Sequence, residues 1–448
     1  MKTRILYTLT ILLSTLITRA QSVPDSSLQL TLQKAIEIAM VNNYDIKITH
    51  AQRQKARNSS TAGNAGLLPS LSVNGGASYS SNDTEMEINN GGTGTIIEAD
   101  GAVSSNYNAA ARIDYTLFDG FGNIYTYKKL KSNDLLQETV LRQQTEATII
   151  EVAQQYYQVC RAQQNLNLAR ESMRISRERY QKTLDQKAYG QVNQLAVLNA
   201  EVDMNNDSTT VLQTEQSFIQ SRKNLNMTLG VPIHQVYEVD NSISYRNDFE
   251  SDAVITDALM NNAGLMAQQQ QEQISNLDIK ITDAKKYPTL AAYGQYSYNR
   301  TDNDAGQLLY NQTQGPKVGV SLNFNVFNGR QQRTREKNAR LDYISQQERT
   351  RQLKSQVERD ASNAYTDYIY KRRIVELQES SLEQAHLNFT QTQEMFALGR
   401  VTSIEFRTAQ QNLLRVAVQY SDAQYTAKVA EFYLLQLSGR LIQESSDE

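Results

Sequence analysis

The chain has 448 residues, 45 basic against 48 acidic side chains for a net charge of −3, no Trp and one Cys. That near-neutral balance carries no electrostatic footprint for nucleic acid. A lone Cys160 excludes an intramolecular disulfide framework or a thiolate zinc cluster, and His50, His234 and His386 are isolated, so neither a metal site nor a cofactor is expected.

Lys2 and Arg4 precede an apolar stretch from Ile5 to Ile17, followed by Thr18-Arg19-Ala20. This pattern predicts a secretory signal peptide over residues 1–20; the stretch is shorter than the roughly 20 residues that span a bilayer. No Cys follows the cleavage point, so no lipid anchor is expected there. No later run of apolar residues is long enough to span, so a membrane-resident chain must use a β-barrel.

Residues 21–231 form a first unit. A helix is expected over about residues 31–63. A strand follows in which Leu71, Val73, Ala77 and Tyr79 alternate with Ser72, Asn74, Ser78 and Ser80, and then a second in which Tyr107 to Leu117 alternates with Asn106 to Thr116. Gly91-Gly92-Thr93-Gly94 lacks the Lys-Ser/Thr of a phosphate loop and reads as an extracellular loop between the strands. Residues 123–189 and 191–229 then contain neither Gly nor Pro. Val152, Val159, Leu166, Met173 and Tyr180 recur every seventh residue, as do Val197, Met204, Val211, Phe218 and Leu225, which argues for left-handed coiled-coil packing. Glu146, Glu151, Asp203 and Asp207 read as solvated helix faces.

A polar linker, 232–249, opens with Pro232, and residues 250–440 repeat the first unit. Ala39 to Asn43 recurs as Ala258 to Asn262 at an offset of 219. Leu117-Phe118-Asp119-Gly120 recurs as Val326-Phe327-Asn328-Gly329 at 209, leaving the second copy ten residues shorter between its strands. Those strands set Leu290, Ala292, Tyr296 and Tyr298 against Gln295, Ser297 and Asn299, and Val318 to Val326 against Lys317 to Asn325. The heptads recur as Ala361, Tyr368, Val375, Leu382 and Phe389, and as Phe406, Leu413, Tyr420, Ala427 and Leu434. A tail, 441–448, closes the chain.

Strands of nine to twelve residues with one apolar face suit an outer-membrane barrel. Four strands cannot close one, and eight would leave an interior filled by side chains. Three chains give twelve strands. The expected fold is therefore an α+β membrane protein: long antiparallel coiled coils forming a periplasmic α-barrel, with four transmembrane strands per chain closing as a 12-stranded barrel in a trimer. The alternative, a secreted coiled-coil spacer or adhesin, needs no apolar strand face.

Leu30 to Asn43, Gly66-Leu67-Leu68-Pro69-Ser70-Leu71, the two Phe-Asp/Asn-Gly segments and Phe396 to Gln410 together resemble the TolC-type outer-membrane efflux protein family across the mature chain. The resemblance implies a homotrimeric channel-tunnel in the outer membrane of a Gram-negative bacterium, with a large periplasmic portion. Such a protein is no enzyme; it passively conducts cargo outward in a tripartite efflux or type I secretion system. The implied partners are a periplasmic adaptor protein, an inner-membrane pump and the lipid bilayer. The implied adaptor contact is the tip formed by Tyr189, Gly190, Gln191, Val192, Leu398, Gly399, Arg400 and Val401. The family's gate carboxylates, one helical turn apart, fall on Glu405 and Thr408, so only one acid is kept; Ala196 stands at the first copy's matching place. Arg400 and Arg407 are near enough in sequence to hold the acid ring.

Overall fold

The computed structural model describes residues 29–305 and 308–444. The expected signal peptide and the last residues of the tail lie outside the described residues. Strand β1 (Gln29–Leu30) leads into helices α1 (Leu32–Asn42) and α2 (Tyr44–Ser59), then strands β2 (Ser70–Asn90) and β3 (Thr93–Phe118), and helices α3 (Gly122–Ala188) and α4 (Gln194–Leu229). Strand β4 (Glu238–Val239) precedes the second set: α5 (Ser251–Asn261), α6 (Ala263–Ala284), β5 (Thr289–Asn303), β6 (Tyr310–Asn323), α7 (Gln331–Ala397), α8 (Ser403–Leu437) and the short α9 (Leu441–Glu444). Among the described residues no helix is long and apolar enough to cross a membrane.

Helices α3 and α7 each run 67 residues, about 100 Å at 1.5 Å per residue. Each starts where the repeated Phe-Asp/Asn-Gly motif turns the chain. Asp119 accepts from the Asn123 N–H at 2.7 Å and Asn328 from the Gln332 N–H at 3.4 Å, satisfying donors that a helix start leaves free. All twenty heptad residues are buried or half-buried, so the seven-residue period is the packed side of each helix. Helix α3 packs on α4, α6 and α8, while α7 packs on α5, α6 and α8.

The single helix expected over residues 31–63 is two helices, because Asn43 ends one and starts the next: its Oδ1 accepts from the Asp45 and Ile46 N–H groups at 2.9 and 3.2 Å. Asn262 breaks the second copy in the same way, accepting from Leu265 N–H. Each break receives the end of a return helix. Asn43 Nδ2 donates to the Thr228 carbonyl at 2.8 Å, and Gly230, at φ +70°, sits so close that a Cβ there would stand 2.5 Å from the Asn42 carbonyl oxygen. Gly439 meets Asn261 equivalently, at 2.6 Å. Near this level β1 pairs in parallel with β4, and the Tyr156 hydroxyl lies 2.8 and 2.9 Å from the Leu30 and Asp240 carbonyls and accepts from the Asp240 N–H at 3.1 Å.

The strands form one antiparallel sheet in the order β2-β3-β5-β6. Its strands are longer than expected, at 21, 26, 15 and 14 residues, because pairing continues past the apolar-polar alternation of the lower sheet, in the first hairpin as far as residues 90 and 93. The fourth stops at Asn323, which leaves Phe324 and Val326 outside the sheet. Register aligns the apolar positions across all four strands: Val73 opposes Ala111, Ala111 opposes Tyr296, Ile113 opposes Leu71 and Gly294, and Leu290 opposes Leu322. The other face carries Ser72, Asn74, Arg112, Asp114, Gln295 and Ser321. Residues 91 and 92 turn the β2–β3 hairpin, both with positive φ.

Candidate functional site

Opposite the sheet, α3 and α7 end in matching turns. Gly190 (φ +72°) and Gly399 (φ +69°) occupy the left-handed position that favours glycine. The following N–H groups reach back to close the helix ends, Gln191 to Gln186 at 2.8 Å and Arg400 to Met395 at 2.9 Å. Asn193 caps α4 by accepting from Ala196 N–H at 3.0 Å. Thr402 caps α8 in a reciprocal box: its hydroxyl oxygen accepts from Glu405 N–H at 3.2 Å, and the Glu405 carboxylate accepts from Thr402 N–H at 2.7 Å. Tyr189, Gly190, Gln191, Leu398, Gly399 and Arg400 are exposed, and Val192 and Val401 half-buried. Between the two helical hairpins lies a cleft of about 790 Å³ lined by Val192, Leu195, Val401 and Ile404, among others.

Glu405 and Thr408 are both exposed on the first turns of α8. The Thr402 N–H, and then its hydroxyl, hold the Glu405 carboxyl below the usual carboxylate range. Arg407 does not brace it. Residues two apart on a helix point to different sides, so Arg407 turns inward and forks onto Asp207, at 2.6 and 2.8 Å to the two carboxylate oxygens. This replaces the expectation that Arg407 holds an acid ring.

Around that fork a polar cluster ties the two hairpins together. Arg407 also donates to Ser176 Oγ at 3.1 Å and Gln410 Oε1 at 3.2 Å. Ser172 and Ser176 donate to Asp207. Gln410 Nε2 donates to the Ser172 carbonyl at 2.9 Å. Arg179, itself buried, pairs with Asp203 and donates to the Ser403 carbonyl at 3.2 Å. Burial opposes ionisation of Asp207, but Arg407 and the serine hydroxyls outweigh it and hold the carboxyl below the usual range. Burial likewise disfavours the Arg407 charge, and Asp207 more than restores it. Just beyond, Phe389, Phe396 and Phe406 cluster with Ile175 and Ala409, the Phe396 and Phe406 centroids 4.8 Å apart.

The solvated-face expectation therefore fails for Asp207 and Asp203. It fails also for Glu146, which is buried against Arg142 at 2.9 Å and whose carboxyl burial pushes above its usual range against that partner's pull. Glu151 is exposed. A sequence signal for the cluster existed: Ser172, Ser176, Arg179 and Thr183 continue the three-and-four spacing of buried positions along α3, a polar interruption of its packed stripe.

The family described as outer membrane efflux protein matches residues 35–231 and 254–440. The chain is 20% identical to the probable outer membrane lipoprotein SilC of Salmonella typhimurium, over 91% of this chain and 85% of that one. It is 22% identical to the cation efflux system protein CusC of Escherichia coli, over 89% and 84%. The crystal structure of the Campylobacter jejuni CmeC outer membrane channel superimposes with a TM-score of 0.76 at 15% identity, covering 93% of this chain and 89% of that one.

Proposed function

The chain belongs to the outer membrane efflux protein family, and from that premise we propose that three copies form the exit channel of a tripartite export system. The coarser statement, an outer-membrane efflux channel, follows from the family. The finer one rests above all on the sheet: four strands with one continuous apolar face and two free edges, β2 and β6. Backbone groups at a free edge cannot be satisfied in hydrocarbon. Joining β6 of one copy to β2 of the next in threes removes every edge and gives twelve strands. The helices support side-by-side association of copies, because α4 and α7 bound each chain's layer and present exposed Leu212 and Ile219, and Leu377 and Leu387.

Within this channel the repeat units 21–231 and 250–440, joined at 232–249, supply equal shares of wall. The tip residues Tyr189 to Val192 and Leu398 to Val401 meet the periplasmic adaptor, and an inner-membrane pump feeds the tube. Glu405 contributes one ring of three acids at the aperture, and the Arg407 cluster restrains the second hairpin against the first. A spacer or adhesin leaves the apolar sheet face without a purpose.

The test is assembly and conduction together. Light scattering in mild detergent should give three chains per particle, and the particle should form steady ohmic pores in planar bilayers. A monomer, or a trimer that conducts nothing after the tip cluster is removed, overturns the proposal.

A further inference from the structure

Beyond the four-stranded sheet the β2–β3 hairpin continues alone. Pairing between β3 and β5 ends at Ser104 with Asn303, whereas β2 and β3 remain paired to residues 90 and 93. At the boundary Asn82 opposes Ala102 but Thr84 opposes Ala99: two residues of β3 face one of β2. Gly101 takes the left-handed position of this bulge, at φ +66°. The Asp83 carboxylate accepts the Gly101 N–H at 2.7 Å, and Ser81 Oγ donates to the Gly101 carbonyl at 3.0 Å. Bulges bend the strand and re-aim the side chains beyond them.

Chemistry changes sides at that bend. On β2 the even positions are polar through the sheet, Ser72, Asn74, Ser78 and Ser80, and become apolar above it, Met86 and Ile88. The odd positions are apolar in the sheet, Leu71, Val73 and Tyr79, and acidic above it, Asp83, Glu85 and Glu87. Register carries this across the hairpin: Met86 opposes Ile97 and Thr84 opposes Ala99 on one side, while on the other Glu85 opposes Glu98 and Glu87 opposes Ile96, the one apolar residue among those carboxylates. Residues 81–101 contain no Lys or Arg.

On the trimeric-barrel reading, on which this inference rests, the apolar sheet face meets lipid and the even β2 positions line the bore. The apolar side of the projecting hairpin then faces the channel axis. At its foot that side shares a groove with Asn303 and Ala305 of the same chain; an isolated two-stranded hairpin is marginally stable in water, so the rest of that side needs cover. The acidic side cannot receive a like copy, since carboxylates opposed across strands already repel. The apolar side can, and symmetry delivers two more of it. Seven residues per strand reach about 24 Å at 3.4 Å each. A twelve-stranded barrel with strands about 4.8 Å apart and tilted about 40° has a radius of about 12 Å, so the hairpins are long enough to meet over its mouth.

We infer that the three hairpins lean together through Met86, Ile88 and Ile97 and cap the external mouth of the channel, with their carboxylates turned outward. Substances leaving the bore part this cap; large solutes outside do not enter through it.

Crosslinking and conductance test the cap in the full-length protein carrying Cys160→Ala. A short bis-maleimide should link subunits of the Met86→Cys trimer and not those of Glu85→Cys, two adjacent residues on opposite sides. Met86→Glu with Ile97→Glu should raise single-channel conductance several-fold at unchanged trimer yield, by forcing six like charges apart at the axis. An intact trimer in which the two cysteine variants link equally, or not at all, overturns the cap and leaves the channel standing, as does unchanged conductance in the double glutamate variant. A chain that never forms a trimer overturns the barrel reading and the cap with it.

Discussion

Replacing Arg407 by Ala removes both arms of the fork on Asp207 and leaves that carboxylate among Ser172, Ser176 and Gln410. The side chains of Arg407 and Asp207 are only 12% and 10% exposed. Deleting one partner of a buried ion pair costs about 3–5 kcal/mol, and the surviving serine hydroxyls place this case near the low end, about 3 kcal/mol. At about 1.4 kcal/mol per decade, separation of the two hairpins becomes on the order of a hundredfold more frequent. Hydrogen exchange on the detergent-solubilised assembly reads this directly: amides of residues 172–183, 203–210 and 403–415 should exchange faster while those of the sheet do not change. Arg407→Ala combined with Asp207→Ala should exchange more slowly than Arg407→Ala alone, because no charge is then stranded. Acid should mimic the single variant. The Asp207 carboxyl is depressed in the folded chain, so its contribution is complete above the ordinary carboxylate pKa of about 3.9 and is lost as pH falls through the lower folded value. Unaltered tip exchange in Arg407→Ala, or a double variant whose effect is the plain sum of two losses, refutes the restraint.

The four cap glycines should separate into two classes. Gly190→Ala and Gly399→Ala meet no atom within 4 Å and bear only the left-handed strain of about 1–2 kcal/mol, so assembly yield should hold. Gly230→Ala and Gly439→Ala drive a Cβ into the Asn42 and Asn261 backbones and should lower folded yield sharply on gel filtration. Val318→Arg, on the apolar sheet face near the middle of β6, should cost about 2–4 kcal/mol and reduce assembly, whereas Ser321→Arg should assemble and alter conductance; equal tolerance would undo the assigned faces. Glu405→Ala should weaken cation preference and block by multivalent cations in single-channel recordings, since a focused acidic ring concentrates counter-ions. Unchanged selectivity would remove Glu405 from the aperture.

Much of this architecture is legible in the residues because it is written twice. Helix lengths follow from Gly122, Gly190, Gly329 and Gly399, and the packed faces follow from a seven-residue period that both copies keep. What escapes a linear reading depends on one side chain doing two jobs or on partners far apart in sequence. Asn43 and Asn262 cap helices on both sides of themselves, so an unbroken polar-apolar rhythm conceals two breaks. The side-swap above Gly101 depends on which residue opposes which, and an added residue in β3 cannot be assigned without its partner strand. Asp207 looks like any surface acid until α8, two hundred residues later, brings Arg407 against it.

The Arg407 cluster also has a counterpart that lacks its chemistry. Moving by the 209-residue offset turns Arg407 into Leu198, Asp207 into Val416, Asp203 into Asn412, Ser176 into Ala385 and Arg179 into Asn388. Ala385, Asn388, Asn412 and Val416 line an open cleft of about 590 Å³ on the flank of the chain, while Leu198 is 47% exposed on the opposite flank. In the proposed ring of three chains the seam within each chain is therefore bolted by charge, while the residues at the matching places on the two flanks are neutral. Charge fixes direction and distance; an apolar contact permits sliding. On the trimeric reading proposed above, each chain's two hairpins should hold together more firmly than neighbouring chains do.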